Sequence, residues 1–183
     1  METRRPVIAA TVAVALLVML AAGVANGQAT HASGMFHDPD GRDVGWVKLV
    51  EDGSGVVHVA VHVDGLVAGR HGIHIHSVGA CSPTFAAAGG HYNPFGHQHG
   101  LENPDGPHAG DLPNLVVNEA GIGHLEARTD LVTVSDGPAT LFDSTVGAVG
   151  SSFIIHANED DQQTDATNGN SGARIACAVI EAG

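Results

Sequence analysis

The feature that most constrains the fold is the run Val57-His58-Val59-Ala60-Val61-His62-Val63, in which valine occupies every second position. A period of two places all four valines on one face of an extended strand and the polar residues on the other. A similar alternation runs from Gly45 to Glu51, and Asp52-Gly53-Ser54-Gly55 separates the two. Two alternating runs joined by a Gly-rich turn predict a β-hairpin. Further extended runs follow at His71–His76, Leu115–Val117, Gly123–Ala127, Thr140–Phe142, Ser152–His156 and Ala173–Ile180. Residues 28–43 are a polar arm or a first strand. About eight short strands without a helical period predict an antiparallel barrel or sandwich. Residues 77–113 and 157–172 follow neither period, and loops of such length inside a compact domain are commonly functional.

The first 27 residues have a different character. Arg4 and Arg5 precede Val7–Ala22, a stretch without a charged side chain, and Ala25-Asn26-Gly27 follows. Basic, apolar and small residues in that order are the pattern of a secretory signal, with cleavage expected after Gly27. An uncleaved anchor is the alternative, but the apolar stretch is shorter than the ~20 residues that span a bilayer. The expected division is therefore a signal peptide at 1–27, an arm or first strand at 28–43 and one domain at 44–183, exported to the periplasm or outside the cell and without stable membrane insertion. The chain has 20 acidic and 7 basic residues, a balance that repels nucleic acid. Its two cysteines, Cys81 and Cys177, would by default form a disulfide in an oxidising compartment, with free thiols or a metal site as alternatives. Closing a loop of that size corresponds to about 4.7 kcal/mol in the chain-entropy model.

Thirteen histidines in one acidic chain are a strong chemical signal. In Ile73-His74-Ile75-His76 the isoleucines take one face and the imidazoles the other. His74 and His76 then lie side by side, as chelation of one ion requires, and His156 joins them if its strand is near. The first long loop adds His91, His97, His99, His108 and Asp111. Three imidazoles and a carboxylate suit zinc in a closed four-coordinate site, and a cluster of imidazoles suits copper.

The segments Gly72-Ile73-His74-Ile75-His76, Gly89-Gly90-His91-Tyr92-Asn93-Pro94, His99-Gly100, Gly106-Pro107-His108-Ala109-Gly110-Asp111-Leu112 and Gly169-Asn170-Ser171-Gly172-Ala173-Arg174-Ile175-Ala176-Cys177 resemble the signatures of the copper/zinc superoxide dismutases, in the same order and across roughly residues 44–181. The resemblance implies an eight-stranded Greek-key β-barrel or sandwich with both metals outside it under two loops. It implies copper at His74, His76, His91 and His156, and zinc at His91, His99, His108 and Asp111, with His91 bridging. By the same resemblance Asp160 links a copper histidine to a zinc histidine, Arg174 receives superoxide beside the copper, and Cys81–Cys177 ties the long loop to the last strand. The implied reaction disproportionates superoxide into dioxygen and hydrogen peroxide, with His91 carrying a proton to the second superoxide.

One departure from the family pattern stands out. Residues 157–173 hold Glu159, Asp160, Asp161 and Asp165 but no lysine or arginine, where the family often places lysines that steer the anion inward. His31, His37, His58, His62, His97 and His124 fit no ligand position and read as surface or local structural residues, as does His71 in support of its loop. The competing function is an exported copper or zinc carrier with little turnover, whose mark would be loss of a ligand or of the anion-receiving arginine; neither is lost. A homodimer is compatible with the resemblance, and the sequence leaves oligomeric state open.

Overall fold

The computed structural model describes residues 30–142 and 150–183, so the expected signal peptide lies outside the described residues. The chain forms β1 (Thr30–His37), β2 (Asp43–Glu51), β3 (Val57–Val63), β4 (Gly69–His71), β5 (Ile73–His76), β6 (Leu115–Val117), β7 (Gly123–Thr129), β8 (Ser152–His156), β9 (Arg174–Val179) and β10 (Glu181–Ala182). Among the described residues two short 3-10 turns, at Phe85–Ala88 and Asp165–Asn170, interrupt the extended chain. All strand pairs are antiparallel, in the order β4-β6-β7-β3-β2-β1-β9-β8-β5, with β10 beside β1. The predicted hairpin is β2–β3, paired in unbroken register from Gly45 opposite Val63 to Glu51 opposite Val57.

Among the described residues ten strands stand where about eight were expected, and the differences have local causes. Residues 30–37 form a full strand between β2 and β9. The expected single strand His71–His76 breaks at Gly72: β4 pairs with β6, whereas β5 pairs with β8. These are the two ends of the sheet path, so one continuous piece of chain closes the barrel through Gly72. A Cβ on Gly72 would meet the Ser171 side chain at 2.8 Å and Asp160 at 3.2 Å. Thr140–Phe142 is not a strand. Thr140 makes one isolated bridge to Thr133, and Leu141 and Ala139 are buried with the core. That segment packs into the core without pairing as a strand.

The core follows the period-2 reading. Val57, Val59, Val61 and Val63 are buried, as are Phe36, Leu49, Ile73, Ile75, Phe153 and Ile155. Two strands depart from one-sided burial, since β5 and β8 are buried along their whole length. Their outer faces lie beneath the loops. Outside β8, Ile154 packs with Ala88, Cys177, Cys81 and Phe85, so the first loop has a small apolar core of its own. The disulfide Cys81–Cys177 joins that loop to β9 across 96 residues of sequence.

A carboxylate secures the loop after β7. Glu51, 8% exposed at the end of β2, accepts from the Val134 and Ser135 amides at 2.7 Å each and from Ser135 Oγ at 2.8 Å. Burial alone would raise its pKa, but these donors outweigh burial and hold it below the ordinary 4.5. A lowered folded-state pKa contributes stability that is complete above the unfolded value and is lost as pH falls through the folded one. Glu51→Ala is therefore expected to cost about 3 kcal/mol in urea unfolding at neutral pH. The gap between parent and variant should narrow below pH 4.5.

Candidate metal centre

The site begins with β5. Its core-facing isoleucines leave His74 and His76 on the outer face, and its pairing with β8 is in register. The other edge of β5 is taken by the first long loop. The Ile75 amide donates to Gly110 O at 2.8 Å, the Tyr92 amide to Ile75 O at 2.8 Å, and the Ser77 amide to Gly90 O at 2.9 Å. Bridges His74–Asp111 and His76–His91 complete this seam. The loop is thereby laid along a strand edge, and its ligand-type residues reach those on β5.

Two groups of ligand atoms result. In each, the atoms lie within 4.8 Å of one another: His74, His76, His91 and His156 form one group, and His74, His91, His99 and Asp111 the other. His74 and His91 belong to both. Their rings stack with centroids 4.0 Å apart, and the His91 side chain is 2% exposed.

In the first group three of the four imidazoles, those of His74, His76 and His156, are held through one nitrogen and leave the other bare. His74 Nε2 lies 2.5 Å from Asp160 Oδ2, His76 Nδ1 3.0 Å from Gly89 O, and His156 Nδ1 3.0 Å from Gly172 O. Each of these oxygens accepts, so each neutral ring donates there and turns an unprotonated nitrogen elsewhere. Those nitrogens are His74 Nδ1, His76 Nε2 and His156 Nε2, all buried and without a partner. Burial holds all three rings neutral. It pulls the His74 pKa to about 3 and that of His156 to about 4, with His76 also well below 6.5. Three converging neutral imidazole lone pairs are a fit donor set for copper.

In the second group Asp111 is the organiser. Its Oδ2 accepts from the Gly100 and His108 amides at 2.8 and 3.0 Å. Its Oδ1 faces His91 Nδ1 and His99 Nδ1 at 3.0 Å each, with His108 Nδ1 at 3.5 Å. His108 Nδ1 lies 3.3 Å from His91 Nδ1. His108 is not in the group defined by the 4.8 Å spacing, but it reaches the same carboxylate, so ring nitrogens of His91, His99 and His108 converge with one Asp111 oxygen, a fit donor set for zinc. Burial opposes charge at His99, but Asp111 and Asp160 outweigh it and raise its pKa to about 9. Burial likewise opposes the Asp111 charge, and the three histidines overcome it and hold the carboxyl far below its usual range.

Asp160 spans the two groups, with Oδ2 on His74 and Oδ1 3.0 Å from His99 Nε2. Asn114 clamps it, accepting from the Asp160 amide and donating to its carbonyl, both at 2.8 Å. Gly169, at φ +68°, packs where any Cβ would overlap the Asp160 carboxylate. Asn114 was not legible as a site residue, because its partner is 46 positions away and no local motif marks it.

Arg174 opens β9 beside the first group. It donates to Phe85 O at 2.6 Å and Gly89 O at 2.7 Å. Gly89 O also accepts from His76, so one carbonyl positions both side chains. The Arg174 charge contributes to the lowered pKa of His76 and His156. All seven expected ligand residues, Asp160 and Arg174 therefore gather in one place. His97 stays outside, its Nδ1 3.1 Å from Pro107 O. His71 stands between His156 O and Val67 O at 2.8 and 2.9 Å, which supports its loop.

Comparison with known proteins agrees with this arrangement. Residues 44–180 match the family model described as copper/zinc superoxide dismutase. "Superoxide dismutase [Cu-Zn] 2" of Aquifex aeolicus is 36% identical over 166 residues, 90% of this chain and 93% of that protein. "Superoxide dismutase [Cu-Zn]" of Caulobacter vibrioides is 39% identical over 146 residues, 78% of this chain and 80% of that protein. The crystal structure of a SOD-like protein from Bacillus subtilis superposes with a TM-score of 0.73 at 34% identity, covering 80% of this chain and 95% of that one. With the barrel, the two converging donor sets and these relatives together, the chain belongs to the copper/zinc superoxide dismutase family.

Proposed function

We propose that this protein disproportionates superoxide, 2 O₂⁻ + 2 H⁺ → O₂ + H₂O₂, with copper held by His74, His76, His91 and His156 and zinc by His91, His99, His108 and Asp111. The observation that carries this reading is the set of three buried, unpartnered ring nitrogens on His74, His76 and His156. Bound copper supplies the one-electron redox chemistry, and zinc is redox-inert. The chain's residues bind the anion, hold the metals' ligands and move protons. Arg174, a permanently charged planar fork, receives the anion next to the copper pocket, fixed by two carbonyls. His91 is the ring shared by the proposed copper and zinc sets; its Nδ1 faces Asp111, and its Nε2 is the site that holds a proton and passes it to the second superoxide. Asp160 orients His74 and His99 together. Retention of Arg174 beside an intact ligand set favours turnover over a metal carrier without it.

Export of the chain rests on the Arg4-Arg5, apolar and small-residue order of its first 27 residues and on the disulfide. Among the described residues no helix is long and apolar enough to cross a membrane. The destination consistent with these features is the periplasm or the extracellular space.

Superoxide consumption and metal content per chain, measured together on Arg174→Ala and His91→Ala, test the assignment. Arg174→Ala should keep both metals and lose activity about 10-fold or more, the lower end of what electrostatic guidance of an anion contributes. Full activity in both variants would remove the mechanism. Asp160→Asn should weaken metal binding by about 10–100-fold, read by chelator competition, because the carboxylate that orients two ligands is lost. Residues 157–173 lack lysine and arginine, and the nearby Arg70 is paired with Glu159. Turnover should consequently be slower than in a well-steered relative and should hold steady or rise as salt approaches about 0.15 M. A steep fall with salt would mean that steering charges lie elsewhere.

A further inference from the structure

The outer face of the sheet, away from the metal centre, carries a row of side chains in register. Trp46 of β2 stands opposite His62 of β3, and His62 opposite His124 of β7. Strands β1 and β9 separate this row from β8. The Trp46 and His62 rings are 5.7 Å apart and those of His62 and His124 4.7 Å. His62 Nδ1 faces His124 Nδ1 at 3.3 Å. Neither ring has any other hydrogen-bond partner among the described residues. Two other outward-facing histidines differ: His37 faces Asp43 at 2.8 Å and His58 faces Asp52 at 2.9 Å.

We propose that His62 and His124 form a second, surface metal site, which takes one divalent ion of the zinc, copper(II) or nickel(II) class. The spacing carries the argument. At 3.3 Å the two nitrogens make a long contact that an ion shared between them can replace. Two nitrogens bound tetrahedrally to one ion at ~2.0–2.1 Å lie about 3.3–3.4 Å apart. Imidazole is the ligand these metals share, and water completes the coordination. The backbone beneath is rigid, because β3 is paired along its length with β2 on one side and β7 on the other. The net charge of −13 raises the local concentration of cations. This site is independent of the catalytic reading: neither residue belongs to the dismutase centre.

The sequence has one tryptophan, and it lies beside His62, which supplies the probe. Protein loaded with copper and zinc in the main centre is titrated with copper(II) while Trp46 fluorescence is followed. Saturable quenching at one further equivalent per chain is expected, lost in His124→Ala with superoxide consumption unchanged. His124 makes no ring contact with Trp46, so this variant removes a ligand without removing the reporter's neighbour. The same extra equivalent should appear with zinc in calorimetry and be absent in both His62→Ala and His124→Ala. Quenching retained in His124→Ala, or no saturable quenching in the parent, would overturn the site.

Discussion

A buried ring nitrogen without a partner costs about 1–3 kcal/mol, and this protein holds three of them in one pocket. His74, His76 and His156 could relieve that cost by turning, but each is anchored by its other nitrogen to an oxygen that the fold fixes. Gly89 O and Gly172 O belong to the two loops, and Asp160 is clamped by Asn114. The pocket is thus the consequence of loops held in one conformation. Whatever loosened those loops would let the rings find water or protein partners and would dissolve the donor set.

The barrel is the reason the loops hold. Its closure through Gly72 places β5 at the end of the sheet path, where one edge is free to pair with the loop. The seam along Ile75, Tyr92 and Gly110 uses that free edge. The disulfide and the small apolar cluster around Ile154 and Ala88 hold the same loop from its other side. Asp160 then couples the two donor sets, so that a shift in either set is felt through one carboxylate by a ring of the other. Arg174 is tied in by the carbonyl that also orients His76. Arg174 and the three-imidazole pocket accordingly share a single support.

Much of this was legible residue by residue. The period-2 valines fixed the hairpin and the core face of β3, and the Ile-His alternation predicted which side of β5 carries ligands. The failures have a common cause. Strand ends at Gly72, and the loss of a strand at Thr140–Phe142, depend on which distant segment is available to pair. Leu141 is as apolar as a strand residue but is buried outside any strand. Glu51 and Asn114 look like ordinary polar residues until partners 83 and 46 positions away are in place. The pairing of His62 with His124 likewise spans 62 positions and needs the β3–β7 register to appear.

By itself the sequence determined the residue types available for chemistry and the face of each strand on which they stand, because side-chain alternation is a property of the extended backbone. It also determined family membership, through short motifs in a fixed order. Only the tertiary structure decided which nitrogen of each imidazole is free and which is held, and that Asp160 reaches both His74 and His99. Those outcomes depend on hydrogen bonds between loops far apart in sequence, which exist only after the barrel has closed and brought them within 3 Å of one another.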